Sequence, residues 1–94
     1  MLIVSGRLYL EAGAMEKFLA SSKEAVGLAR KAPGCRDFVV APDPLEPDRV
    51  NVYEEWESEE ALLEFRGSGP DDGMWSAIER AEVFRHVISS TGPA

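Results

Sequence analysis

The spacing of apolar residues changes from one segment of this chain to the next, and this change constrains the fold most. In residues 2–10 apolar and polar side chains alternate, which is typical of a strand with one buried face. From Ala14 the apolar spacing becomes helical, and Pro33-Gly34 ends the predicted helix. Residues 35–40 predict a second strand, and residues 49–57 alternate again after a proline-rich turn, so the two segments predict a β-hairpin.

A second helix and a last strand complete the pattern. Ser58 is a typical helix N-cap followed by acidic residues, and the predicted helix runs through Phe65. The glycine-rich residues 67–73 interrupt this helix, and a further helical stretch is predicted over residues 74–80. Alternation over residues 82–90 then predicts the last strand.

The predicted order β-α-β-β-α-β is the split βαβ arrangement of ferredoxin-like α+β domains, with a four-stranded antiparallel sheet. At 94 residues the chain is expected to form one domain over residues 1–94. Two helices on one side of such a sheet leave the other side bare. A second copy of the same sheet is the simplest cover, so we expect a homodimer paired sheet to sheet.

Charge and cysteine content exclude several kinds of protein. The net charge is −7, and residues 43–72 hold two Lys or Arg against eleven Asp or Glu. Such a surface repels phosphate backbones, so we expect no nucleic-acid partner. No apolar run approaches the roughly 20 residues of a membrane span, so no membrane partner and a cytoplasmic location are expected. Cys35 is the single cysteine, which excludes an internal disulfide and a thiol metal pair.

Two motifs mark the junctions between the predicted elements. Pro33-Gly34 opens the second strand, and the string Glu55-Trp56-Glu57-Ser58, followed by Ala61-Leu62, joins the third strand to the second helix. Both resemble the antibiotic biosynthesis monooxygenase (ABM) family, and the resemblance spans residues 2–90. It implies a dimeric ferredoxin-like fold whose sheets pair into an α/β barrel. For some members it also implies oxidation of quinols or aromatic polyketides by O2 without metal or flavin.

Two departures from the family pattern bear on function. Many members carry a His near the end of the second helix, where this chain has Phe65-Arg66. Heme-degrading relatives use an Asn in the first strand and a Trp late in the second helix, and the matching positions here hold Gly6 and Phe65. Their His further on falls near Met74 or Trp75. Heme oxygenation is therefore disfavoured, and the missing His leaves a non-catalytic role open.

Oxidation without a cofactor requires an aromatic pocket, a base that forms the substrate anion, and a dry place for O2. Candidate pocket walls are Trp56, Trp75, Phe65, Phe18 and Tyr53, although core packing is the more frequent role for residues such as Phe18 and Phe65. His86 is the only imidazole and the natural base, although a structural role is more frequent on an apolar strand face. Further candidates are arginines that hold a phenolate and tyrosines that relay protons, namely Arg66, Arg85, Tyr9 and Tyr53.

These features predict a monooxygenase of the ABM type that oxidises a quinol-like or polycyclic phenolic compound with O2. No cofactor and no metal are expected. Two alternatives stay open, a non-catalytic small-molecule-binding or regulatory dimer and a related isomerase or dehydratase, because one fold supports many functions. The sequence does not specify the substrate.

Overall fold

The computed structural model describes residues 1–67 and 76–94, which follow the predicted β-α-β-β-α-β order. The elements are β1 (Leu2–Leu10), α1 (Met15–Lys31), β2 (Cys35–Pro42), β3 (Arg49–Trp56), α2 (Glu59–Gly67) and β4 (Ile78–Val87). The strands form one antiparallel sheet in the order β2-β3-β1-β4. This is the ferredoxin-like architecture that the residue pattern predicted.

The two faces of the sheet differ in their cover. On one face the alternate residues of β1 and β3 are buried, and they pack with Ala29 of α1 and Leu62 of α2. We call this face the helix side; from β1 and β3 it comprises Leu2, Val4, Leu8, Leu10, Val50, Val52, Glu54 and Trp56. The opposite face, called the open side, carries the intervening residues of each strand. The alternation read from the sequence therefore assigned the faces of β1 and β3 correctly.

Helix α1 packs through residues Phe18, Ser22, Ala25 and Ala29, whose spacing of three and four places them on one stripe. It ends before Gly34, as predicted. Gly34 has a φ of 83°, and a Cβ there would lie 2.5 Å from the Cβ of Ala61, so glycine permits close contact with α2. Neither helix in residues 1–67 and 76–94 is long and apolar enough to cross a membrane.

The turn between β2 and β3 is organised by Asp43. Its carboxylate accepts hydrogen bonds from the backbone N–H groups of Leu45 and Glu46 and from the side-chain amide of Asn51. These bonds, with the nearby charge of Arg49, lower the pKa of Asp43 to about 2. The proline-rich turn thus has a built network that fixes the hairpin.

The last part of the chain corrects the sequence prediction. The sequence predicts a helical stretch over residues 74–80, but Ser76 and Ala77 form a short 3₁₀ turn and β4 already begins at Ile78. The first two residues of that stretch, 74 and 75, lie outside the described residues. The reason is tertiary: Leu10 pairs with Ile78 across a bulge, and the Glu11 N–H donates to the Ala77 carbonyl at 2.9 Å. The strand also ends at Val87, rather than at residue 90. The predicted interruption over residues 68–73 lies outside the described residues.

Candidate functional site

The sequence-predicted site residues lie on both sides of the sheet. On the helix side lie Trp56, Phe65 and Arg85, and on the open side lie Tyr9, Tyr53 and His86. Arg66 is exposed near the end of α2, and Trp75 lies outside the described residues. The sheet separates the two groups, so the predicted residues do not form a single site.

Three aromatic rings meet on the helix side under α2. The Trp56 ring centroid lies 5.4 Å from that of Phe65, and the two rings are tilted against each other. It lies 6.5 Å from that of Phe38, which packs edge-on against the Trp56 ring. Phe38 and Phe65 also contact each other, at 6.0 Å. Trp56 is fully buried, at 0% exposure. These three rings, which we call the aromatic cluster, therefore form part of the core in this structure.

The structure adds one residue that the sequence did not single out, Glu54. It lies on β3 between Val52 and Trp56 and is only 9% exposed. The Trp56 indole N–H donates a hydrogen bond of 3.0 Å to its Oε1 atom. In residues 1–67 and 76–94 Glu54 is the only buried residue with a charged side chain. The signal was present in the sequence, because alternation with Val52 and Trp56 places this carboxyl on the buried face.

The surroundings of Glu54 act on its acidity in opposite directions. Burial raises the pKa of the carboxyl, while the hydrogen bond from Trp56 and the positive charge of Arg66 lower it, and burial dominates. Buried carboxyls whose pKa is raised by desolvation are frequent at functional sites. Among the described residues of the helix side, Glu54 is therefore the one best suited to acid–base chemistry.

Arg85 lies in the same cross-strand row as Glu54. Val4 of β1 pairs with Glu54 on one side and with Arg85 on the other, so the two backbones are separated by two strand spacings, about 10 Å. Arg85 Nη1 lies 3.0 Å from Glu59 Oε1 of α2, and both side chains are partly exposed. Val87, on the same side of β4, is 81% exposed. The helix side is thus covered over β3 and accessible to solvent along β4.

The open side carries a mixed surface. Phe84 is 62% exposed, and His86 beside it is exposed and has no side-chain hydrogen bond within the described residues. Arg80 lies 4.1 Å above the Tyr9 ring. The Tyr53 hydroxyl donates to Glu55 at 2.9 Å, and this bond raises the pKa of Tyr53. No helix within residues 1–67 and 76–94 covers this side of the sheet.

A cavity of about 270 Å³ lies at the far end of the helix side from Trp56. It is lined by Glu11, Ala14, Lys17, Phe18, Ser21, Ser76 and Ala77. Phe18 is the one lining residue that the sequence suggested as a pocket wall. Within the described parts of the chain, no group of three or more His, Cys, Asp or Glu is placed to hold a metal ion.

Comparisons with known proteins agree on the fold. The sequence profile of the family called antibiotic biosynthesis monooxygenase matches residues 1–73. No curated protein matches the sequence significantly. Among solved structures, a candidate antibiotic biosynthesis monooxygenase from Nitrosomonas europaea is 12% identical, with a TM-score of 0.83 over 96% of this chain and 100% of that one.

Two further structures have the same fold. Rv0793 from Mycobacterium tuberculosis is 18% identical, with a TM-score of 0.83 over 98% of both chains. A candidate antibiotic biosynthesis monooxygenase from Chloroflexus aurantiacus is 24% identical, with a TM-score of 0.78 over 98% of this chain and 96% of that one. At these identities the likeness establishes the fold alone.

Proposed function

Because the chain belongs to the antibiotic biosynthesis monooxygenase family, we propose that it oxidises a quinol-like or polycyclic phenolic compound with O2, without metal or flavin. The observation that carries the proposal is the arrangement on the helix side. There a buried carboxyl lies against the aromatic cluster, and Arg85 lies in the same cross-strand row. A proton-accepting carboxyl that is shielded from water and an anion-binding arginine that is open to solvent thus share one side of the sheet.

The proposed reaction balances without a cofactor. The substrate loses a proton and becomes an electron-rich anion, which reduces O2. One oxygen atom enters the ring and the other leaves as water, so a quinol yields a hydroxyquinone and an anthrone yields an anthraquinone. The protein contributes binding, proton transfer and electrostatic stabilisation, and the substrate supplies the electrons.

Arg85 is suited to hold the oxygen of the substrate anion. Its ion pair with Glu59 is partly exposed, and such pairs stabilise the fold by about 1 kcal/mol or less. The guanidinium can therefore exchange Glu59 for a phenolate at little energetic cost. The N–H groups of the planar guanidinium are fixed in position and can donate charge-assisted hydrogen bonds to the phenolate oxygen.

A screen of naphthoquinols and anthrones tests this function. With a chelator present and no flavin added, we expect O2 uptake above the spontaneous rate for at least one compound, and ¹⁸O₂ should label one product oxygen and one water. Arg85→Gln is expected to lower kcat/KM roughly 10-fold or more, because a charge-assisted hydrogen bond contributes about 1.5–3 kcal/mol. Arg36→Gln, an exposed arginine of β2, is the matched control and should leave the rate unchanged.

The same screen distinguishes the proposed oxygenase from the two alternative functions. Tight binding of a compound without O2 uptake supports the non-catalytic binding module, which the Phe65-Arg66 departure from the family pattern leaves open. Conversion of a compound without O2 uptake supports an isomerase or dehydratase. Either result contradicts the proposed oxygenase.

We also propose that the protein is a homodimer paired through the open sides of two sheets. Three observations support this: neither helix of the described residues covers that side, Phe84 is 62% exposed there, and β4 presents Phe84 and His86 together. Burying an aromatic ring of this kind is among the larger contributions to an interface.

Light scattering at micromolar concentration is expected to give twice the chain mass of 10.3 kDa. Phe84→Asp should shift the protein to the monomer mass, because an unpaired carboxylate in an apolar interface is strongly unfavourable. Val87→Asp is the control, since Val87 is even more exposed but lies on the helix side of the same strand. A monomeric wild type, or dissociation by both variants alike, contradicts pairing through the open side.

A further inference from the structure

The proposed oxidation requires a group that removes a proton from the substrate, and we infer that this catalytic base is Glu54, the buried carboxylate beside Trp56 on the helix side. The inference rests on the proposed function, since it assigns a step of that reaction. His86, the base that the sequence suggested, lies on the open side. The sheet stands between His86 and both the aromatic cluster and Arg85.

The hydrogen bonding of Glu54 leaves it able to accept a proton. A carboxylate offers about four acceptor positions on its two oxygens. Among the described residues Trp56 is the only hydrogen-bond donor to it, and it binds Oε1. Trp56 therefore fixes the orientation of the carboxylate and leaves Oε2 for a substrate proton.

Two neighbouring carboxylates do not fit the role. Glu55, the next residue along β3, faces the open side and accepts the Tyr53 hydroxyl. Glu59 is exposed and paired with Arg85. Glu54 is thus the carboxylate that burial places against the aromatic cluster.

The surroundings of Glu54 favour basicity. The titratable and charged groups set against it are Arg66 of α2 and the Cys35 thiol of β2, and its neighbour on β1 is the apolar Val4. Burial raises its pKa beyond the opposing effect of Arg66 and Trp56. A carboxylate that holds a proton more tightly is a stronger base, and this matches catalytic carboxylates raised by an apolar environment.

Glu54 takes the proton directly from the substrate. A substrate O–H bond, or the acidic C–H bond of an anthrone, breaks while an O–H bond forms on Glu54 Oε2. The electron pair stays on the substrate as an enolate or phenolate, whose oxygen Arg85 stabilises. After the anion has reduced O2, Glu54 returns its proton to the oxygen that leaves as water. The second proton of that water comes from the substrate carbon that becomes the new carbonyl.

Deuterium exchange at the acidic CH2 of anthrone, followed by NMR under argon, measures the base without the oxidation. The wild type is expected to accelerate this exchange, and Glu54→Gln to slow both the exchange and aerobic O2 uptake by about 10²–10⁴-fold. Glutamine keeps an acceptor for the Trp56 indole but loses the basicity. Glu55→Gln is the matched control, because it makes the same change one residue along on the open side, and it should keep the wild-type rates.

A pH profile and a conservative variant separate catalysis from folding. The wild-type exchange rate should rise with pH through the raised pKa of Glu54, and this step should vanish in Glu54→Gln. Glu54→Asp keeps a carboxylate and should retain part of the activity.

Because the pKa of Glu54 is raised in the folded state, its protonated form stabilises the fold at acidic pH, and this contribution is lost as pH rises through that pKa. Glu54→Gln should therefore melt no lower than the wild type at pH 7.

The outcomes distinguish the two proposals. Exchange and O2 uptake that survive in Glu54→Gln overturn the assignment of Glu54 and leave the oxygenase standing. Exchange that requires Glu54, without any O2 uptake, overturns the oxygenase and supports Glu54 as a base. A wild type with neither exchange nor uptake overturns both.

Discussion

Gly6→Ala is expected to lower the free energy of unfolding by about 3–5 kcal/mol, through overpacking and backbone strain together. A Cβ at Gly6 would lie 2.0 Å from the carbonyl oxygen of Glu82 and 2.7 Å from the Cα of Val83, both in the backbone of β4. Its φ of 153° is also one that side chains disfavour. Since domains of this size are stable by only about 5–15 kcal/mol, the loss is a large share of the total.

The matched control is Gly27→Ala on the exposed face of α1. A Cβ at Gly27 meets nothing within 4 Å, and alanine is a better helix former than glycine by about 0.8–1 kcal/mol. Urea unfolding should therefore show one Gly→Ala change that strongly destabilises the protein and one that stabilises it. Equal midpoints for the two variants would show that β1 and β4 can separate to accept a side chain at position 6.

The close approach of β1 and β4 at Gly6 bears on ligand choice as well. The resemblance places Gly6 where heme-degrading relatives carry an asparagine. In this chain β4 occupies the space that such a side chain needs, so the asparagine cannot be introduced without moving a strand. This supports the expectation that the protein does not degrade heme, which stays a prediction.

The sequence predicted the strands well because alternation is a local signal and one face of the sheet is buried. It placed Trp56 and Glu54 on one face of β3, as the structure has them. It failed at Ile78–Arg80, where a locally helical pattern yields to pairing with Leu10 and Tyr9 of β1. Pairing between segments so far apart in the chain is not encoded in local spacing.

The candidate site was harder to predict than the fold. The sequence ranked residues by chemical type, and a lone histidine among apolar residues ranked first as a base. Which face the helices cover depends on packing, and that cover places His86 on the open side and Glu54 beneath α2. A carboxylate in an acidic segment is usually solvated, so the alternation of Glu54 with Val52 and Trp56 was a weak signal until the structure showed which face is covered.

Trp56→Ala is expected to lower the free energy of unfolding by about 3–5 kcal/mol, the usual cost of removing a large buried aromatic side chain. Trp56 is 0% exposed, and its loss leaves a cavity between Phe38, Phe65 and Leu62. Glu54 also loses its hydrogen-bond donor. Val87→Ala, at an exposed position on the same side of the sheet, should change stability by about 0.5 kcal/mol or less in the same urea titration.

Trp56→Phe separates the packing of this residue from its effect on Glu54. Phenylalanine keeps much of the ring volume but cannot donate to Glu54, so the loss of stability should be smaller than for alanine, about 1–3 kcal/mol. The indole hydrogen bond lowers the pKa of Glu54 in the wild type, so its removal should raise that pKa further. The pH at which anthrone exchange reaches half its maximum should then move upward in Trp56→Phe. A midpoint that stays in place or moves downward would show that the carboxylate bound to Trp56 is not the group that titrates in the reaction.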